Sequence, residues 1–152
     1  MEVVHALSGP RNVSTALMYS FAQRPGWSVL DEPFYAAYLA RTGADHPGRD
    51  EVLASQPVQS EEVWRRLQAL NGPTYIKNMA HHMDWLDLAP AAAWKHVLWI
   101  RSPRKVIASF AKVVPDVPAG HGEICLAGGF GWITHGSLEV GIKIGKAILV
   151  KV

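Results

Sequence analysis

The chain of 152 residues predicts an α/β fold, a three-layer parallel sheet with helices on both faces. Three observations predict it. Short apolar runs alternate with segments of helical periodicity from Val3 to Val113. Prolines at positions 25, 47, 57, 73, 90 and 115 punctuate the joints between them. Two of the strand-to-helix turns also carry an arginine with hydroxyls at the start of a helix, the arrangement with which α/β proteins hold anions.

In chain order, Val3–Leu7 reads as the first strand and Ser14–Gln23 as the first helix. Trp27–Leu30 reads as a strand, Phe34–Arg41 as a helix, and a polar loop is expected up to Gln59. A helix over Glu61–Leu70 and a strand over Thr74–Lys77 follow. A short helical stretch near Met83–Leu88 leads to a strand at His96–Ile100 and a helix at Lys105–Val113. Alternation of this kind implies parallel strands joined by crossovers. Composition then changes: after Pro118 there is no further proline or arginine, and most of the thirteen glycines lie between Gly120 and Gly145. Residues 1–118 are therefore expected to form the α/β domain and 119–152 an atypical glycine-rich tail, which ends in a lone apolar strand at Ala147–Val152.

With 49% hydrophobic residues the chain can bury one core but hardly two. A formal charge of +2 and a pI near 8.8 are too mild for duplex DNA. They suit a small polyanion met by a few focused cations. The expected partner is thus a small molecule, with neither nucleic acid nor membrane. Cys125 is the only cysteine, so no intrachain disulfide is possible. No secretory signal pattern opens the sequence, and a cytoplasmic protein is the default expectation.

The first anion-binding candidate is Leu7-Ser8-Gly9-Pro10-Arg11-Asn12-Val13-Ser14-Thr15. Gly9 and Pro10 allow a tight turn off the strand. Ser14 and Thr15 set two hydroxyls and free N–H groups at the positive end of the next helix. Arg11 adds a permanently charged fork, and Asn12 sits beside it. The lysine of a nucleotide-triphosphatase phosphate loop is missing, because Ser14 stands in its place. The plain alternative is a strand-to-helix turn capped by Ser14. The second candidate is Arg101-Ser102-Pro103-Arg104-Lys105-Val106-Ile107-Ala108-Ser109-Phe110, a turn with proline at the helix start, which puts Arg101 and Ser109 on one side.

Together these segments resemble the sulfotransferase family over about residues 2–113. Pro10, Arg11, Ser14 and Thr15 match its P-K/R-x-G-[ST]-T phosphosulfate loop, with Val13 where the family commonly has glycine. Arg101 and Ser109 match its R-x-P-[RK]-x-[VA]-x-x-S-[FY] motif. The resemblance implies a P-loop-type fold and 3′-phosphoadenosine 5′-phosphosulfate (PAPS) as sulfuryl donor. It also implies that Arg11, Asn12, Ser14 and Thr15 hold the phosphosulfate while Arg101 and Ser109 grip the 3′-phosphate. The two loops converge if their strands are parallel neighbours. The tail lies beyond the resemblance; Gly141–Lys146 only faintly echoes the family's later R-K-G-x-x-G segment.

Sulfuryl transfer needs a base for the acceptor's proton and a cation for the developing charge. Glu32, just after the second strand, is the first choice as base. Lys77 resembles the family lysine that contacts the bridging oxygen, and His81 or His82 is the second candidate for the base. No metal is expected, since the adjacent His81 and His82 rarely converge on one ion. Phe34, Tyr35, Tyr38, Trp64, Trp85 and Trp99 are mostly core candidates that could also border an acceptor pocket. The activity expected is transfer of a sulfuryl group from PAPS to a hydroxyl or amine of a small molecule. The alternatives are a nucleotide hydrolase or kinase using ATP, with Asp31-Glu32 on magnesium, and a catalytically inactive binding domain.

Overall fold

A computed structural model describes residues 2–9, 11–112, 133–134, 137–138 and 147–151. Its centre is a five-stranded parallel sheet in the order β2-β3-β1-β4-β7. The strands are β1 (Val3–Ser8), β2 (Ser28–Asp31), β3 (Thr74–Met79), β4 (Lys95–Ile100) and β7 (Ala147–Lys151), with a two-residue antiparallel ladder, β5 (Ile133–Thr134) and β6 (Ser137–Leu138), beside them in the chain order. The helices are α1 (Ser14–Ala22), α2 (Tyr35–Thr42), α3 (Arg49–Ser55), α4 (Ser60–Gln68) and α5 (Pro103–Phe110).

Side chains alternate across the strands and so divide the core into two layers. Val3, Leu7, Ile76 and Leu98 face α2 and α4 and pack with Phe34, Val63 and Leu67. Ala6 and Tyr75 face the other way and pack with Met18, Leu17 and Phe21 of α1. Full burial of side chains such as Leu7 and Phe34 contributes about 1.5–3 kcal/mol each. α4 is favoured electrostatically as well, with Glu61 and Glu62 in its first turn and Arg65 and Arg66 in its last. Gly43 ends α2 at φ 67°, in the left-handed region, and its N–H bonds to the Leu39 carbonyl.

The α2/α4 side of the sheet also buries a polar ladder. Asn78 Nδ2 donates to His5 Nε2 at 3.0 Å, His5 Nδ1 meets His96 Nδ1 at 3.2 Å, and His96 Nε2 donates to the Ala91 carbonyl at 3.0 Å. One assignment of protons satisfies every link, with both imidazoles neutral. Burial pushes His5 down to about 3 and lowers His96 as well, so the ladder stays uncharged at neutral pH.

Several expected elements differ. The polar loop before Gln59 contains α3, a helix with no buried residue and hence no apolar periodicity to reveal it. In place of a helical stretch at Met83–Leu88, the chain makes 3₁₀ turns at Ala80–His82 and Ala89–Ala91, with i→i+3 bonds from Met83 to Ala80 and from Leu86 to Met83 between them. This tighter winding buries Met83 against the sheet. The last helix runs Pro103–Phe110, earlier than expected, with proline at its first position. The strand expected at Ala147–Val152 is not alone: it pairs in parallel with β4, His96 opposite Ala147. The boundary expected near residue 118, Cys125 and the Gly141–Lys146 segment lie outside the described residues. Among the described residues no helix is long and apolar enough to cross a membrane.

Candidate active site

β1 occupies the middle of the sheet, with β3 on one side and β4 on the other. In register, Leu7 and Ser8 lie opposite Asn78 and Met79 on β3 and opposite Leu98 and Trp99 on β4. The loops that follow β1 and β4 therefore emerge side by side at the carboxyl edge, where α/β sheets bind ligands. They enclose a cleft of about 360 Å³ lined by Gly9, Arg11–Thr15, Lys77, Met79, Arg101 and Ser109. Seven of the residues singled out from the sequence thus share one cavity: Arg11, Asn12, Ser14, Thr15, Lys77, Arg101 and Ser109.

The two loops brace each other. Arg11 Nε donates to Ser109 Oγ at 3.1 Å, and Arg101 Nη1 donates to the Arg11 carbonyl at 2.7 Å. Asn12, buried, donates from Nδ2 to the Trp99 carbonyl at 2.9 Å, tying the first loop to β4. Ser8 Oγ donates to Ser14 Oγ at 2.9 Å, which fixes the start of α1 against its own strand. Ser14 is the first helical residue, so the loop delivers the unpaired N–H groups of the helix start to the cleft. Arg11 and Val13 both adopt positive φ, 61° and 60°. Such angles are unusual for any side chain and strained for a β-branched one, which explains why glycine suits position 13.

Behind the cleft lies a cluster of charges. Lys77 and Asp31 are direct partners in the β2–β3 register, and Lys77 Nζ bonds Asp31 Oδ1 at 2.8 Å. The same ammonium bonds Glu32 Oε1. Burial alone would push the Lys77 ammonium down, but hydrogen bonds and charge from the two carboxylates outweigh it and leave its pKa above the ordinary lysine value. Glu32 sits at φ 48°, held by its N–H to the Lys77 carbonyl at 2.8 Å and by its own carbonyl to the Tyr35 N–H at 2.9 Å. That turn presents its second oxygen, Oε2, to His82 Nδ1 at 3.5 Å, longer than a good hydrogen bond.

His81 and His82 lie outside the cleft wall. His82 is buried, stacked on Tyr35 at 5.0 Å between ring centroids and tilted against Tyr38 at 4.4 Å. Burial, reinforced by nearby positive charge, holds it neutral with a pKa of about 3. His81 packs edge-on against His82 and Tyr38, and burial lowers it too. Of the aromatics considered for an acceptor pocket, Phe34 is fully buried, with Trp64 edge-on against it, and Trp85 lies under the Arg41 guanidinium. Sequence reasoning named Asp31 only as a magnesium ligand; its position directly across the sheet from Lys77 becomes visible once the strands are paired. Among the described residues no three His, Cys, Asp or Glu side chains are grouped to hold a metal ion.

Comparison with known proteins matches residues 1–128 to a family model described as a sulfotransferase domain. The chain belongs to the sulfotransferase domain family. The match runs beyond Val113, past the extent of the resemblance read from motifs. Two curated relatives from Arabidopsis thaliana are similar: branched-chain-amino-acid aminotransferase-like protein 2, 40% identical over 122 residues and 76% of this chain, and protein 1 of that name, 39% identical over 129 residues and 81% of this chain. The chain spans only 22% and 23% of their lengths. In fold it is similar to the crystal structure of an unliganded sugar kinase from Janibacter, at a TM-score of 0.53 and 14% identity, covering 99% of this chain and 85% of that one. That likeness is one of fold, an α/β arrangement around a parallel sheet.

Proposed function

We propose that this domain transfers a sulfuryl group from PAPS to the hydroxyl or amine of a small molecule. The observation that carries the reading is the convergence of Arg11, Lys77 and Arg101 with Ser14, Thr15 and Ser109 on one cleft at the carboxyl edge of the sheet. Three cations, three hydroxyls and a helix N-terminus form a donor set suited to a bisphosphorylated nucleotide. Arg11, Asn12, Ser14 and Thr15 would hold the 5′-phosphosulfate, and Arg101 and Ser109 the 3′-phosphate. When bound, PAPS supplies an activated sulfuryl group on a phosphate leaving group.

The chain's own residues account for the rest. Lys77, charged at neutral pH, places positive charge beside the phosphate groups, where charge accumulates on the leaving oxygen. Glu32 acts as the base, and its free oxygen is Oε2, because Oε1 is engaged by Lys77. The neutral His82 behind Oε2 leaves that oxygen unneutralised and able to take the acceptor's proton. Neither Glu32 nor His81 lines the cleft, but Glu32 is bonded to Lys77 of the cleft wall and His81 is not, which makes His81 the weaker candidate for that role.

A nucleotide hydrolase or kinase with Asp31 and Glu32 on magnesium is less well supported. The Lys77 ammonium already sits between those carboxylates and supplies the positive charge they attract. Thermal denaturation in the presence of ligand separates the readings. Adenosine 3′,5′-bisphosphate without metal should raise the melting temperature of the chain, and Arg11→Ala and Arg101→Ala should each abolish the rise. A larger rise with Mg-ATP, or unchanged binding in both variants, would refute the proposal.

A further inference from the structure

Among the described residues, three hydrogen bonds involving side chains reach Arg11 and Asn12, and all three come from the β4 side of the cleft. Arg101 Nη1 donates to the Arg11 carbonyl at 2.7 Å, Ser109 Oγ accepts from Arg11 Nε at 3.1 Å, and the Trp99 carbonyl accepts from Asn12 Nδ2 at 2.9 Å. The segment they hold is the one that takes left-handed angles at Arg11 and Val13. Such angles cost a non-glycine residue free energy and persist only where the surroundings enforce them. The shape of the first loop therefore depends on the second.

These ties leave room for a ligand. A guanidinium carries five N–H donors, and each of the two arginines commits one of them to the opposite loop. Ser109 Oγ accepts from Arg11, so its own hydrogen can be donated to an anion. Arg11, Arg101 and Ser109 all line the cleft. The same residues can thus hold an anion and hold each other at once.

We infer that the two anion subsites are energetically coupled, with Arg101 and Ser109 acting as positioning residues for the loop that receives the 5′ end of the nucleotide. The inference rests on the sulfuryl-transfer reading above, in which those two residues meet only the 3′-phosphate. A 3′-phosphate that draws Arg101 and Ser109 into place also secures their bonds to Arg11. A group bound at the first loop secures the same bonds from the other side, because coupling between sites is reciprocal. A ligand that reaches both subsites therefore binds better than its two halves suggest. One that lacks the 3′-phosphate meets a first loop that is less often in its binding shape. Selection for a nucleotide with phosphates at both ends is thus built into the contact between the loops.

The test measures, by calorimetry on the intact chain and three variants, binding of adenosine 3′,5′-bisphosphate and of adenosine 5′-phosphosulfate, which lacks the 3′-phosphate. Independent subsites would leave the second ligand untouched by Arg101→Ala and by Ser109→Ala. With coupled subsites, Arg101→Ala should weaken it about tenfold and Ser109→Ala, which removes no charge, about threefold, both within the worth of a single hydrogen bond. Arg104→Ala removes an exposed charge from the same helix and, at physiological salt, should weaken it less than twofold. Amide NMR spectra of the ligand-free chain give a second readout: Arg101→Ala and Ser109→Ala should each move Asn12, Val13 and Ser14 and leave Val63 and Leu67 of α4 in place. Unchanged affinity for adenosine 5′-phosphosulfate in both variants would overturn the inference and leave the transfer reading standing. Equal losses in Arg101→Ala and Arg104→Ala, with none in Ser109→Ala, would overturn it in favour of charge alone. If the unaltered chain binds neither nucleotide, the transfer reading falls and the loop amides decide the coupling: moved, it stands; unmoved, it falls.

Discussion

The cation-lined cleft and the histidine ladder are built on the same three strands, β1, β3 and β4, yet they solve opposite problems. The ladder lies within the sheet's covered side, where a charge would be costly, and each of its imidazoles is neutral with its polar atoms turned on neighbours. The cleft lies at the strand ends, where Arg11 and Arg101 keep solvent-facing guanidiniums and where the backbone takes positive φ at Arg11, Val13 and Glu32. One region holds strands together, and the other holds charge ready for a ligand. Lys77 stands between the two: buried like the ladder, but charged like the cleft, because Asp31 and Glu32 compensate it.

The comparison breaks most sharply at Lys77. Lys77→Ala should leave two carboxylates facing each other and cost about 3 kcal/mol, the lower end for a broken buried pair because Asp31 is half exposed. Urea denaturation measures it, and a loss below 0.5 kcal/mol, typical of surface pairs, would show that the ammonium is not buried in solution. Next, Glu32→Gln should lower sulfuryl transfer about a hundredfold, close to 2.7 kcal/mol of barrier, with nucleotide affinity unchanged. Steady-state rates and a binding titration decide this together; equal rates in the two proteins would move the base to His81 or His82.

The ladder has its own signature in acid. His5 is held near 3 when folded against an ordinary value of 6.5, so between those values the unfolded chain takes a proton that the folded chain refuses. Stability is therefore complete above pH 6.5 and falls as pH drops toward 3. From pH 7 to 5.5 His5 alone should remove about 1 kcal/mol. Urea midpoints across that range should decline, and a flat profile would mean that the ladder is open to water. The smallest effect belongs to the loop after β1: Val13→Gly should stabilise the chain by up to about 1 kcal/mol by relieving φ 60°. A loss of stability there, measured by the same denaturation, would show that the loop's shape depends on the valine side chain.

The order of most strands and helices, the two loops that line the cleft and most of the cleft residues were legible in the sequence. They rest on local patterns: apolar runs with β-branched residues, proline at a helix start, and hydroxyls following Gly9-Pro10-Arg11. α3 was not legible, because a short helix with no fully buried residue shows little apolar periodicity. The 3₁₀ turns around Met83 were not legible either, because their winding is set by how Met83 meets the sheet.

The sequence by itself determined which residues could carry charge to an anion and which family pattern they follow. Only the tertiary structure decided which of them meet. The spacing of Arg11 and Ser109, ninety-eight positions apart, says nothing of a hydrogen bond until β1 and β4 are paired in parallel. The triad of Asp31, Glu32 and Lys77 likewise depends on one register between β2 and β3, since a slip of one residue would turn Asp31 to the opposite face. The neutrality of His5, His82 and His96 has the same origin. An imidazole's ordinary pKa belongs to the residue, but its displacement belongs to the water excluded when the helices close over the sheet.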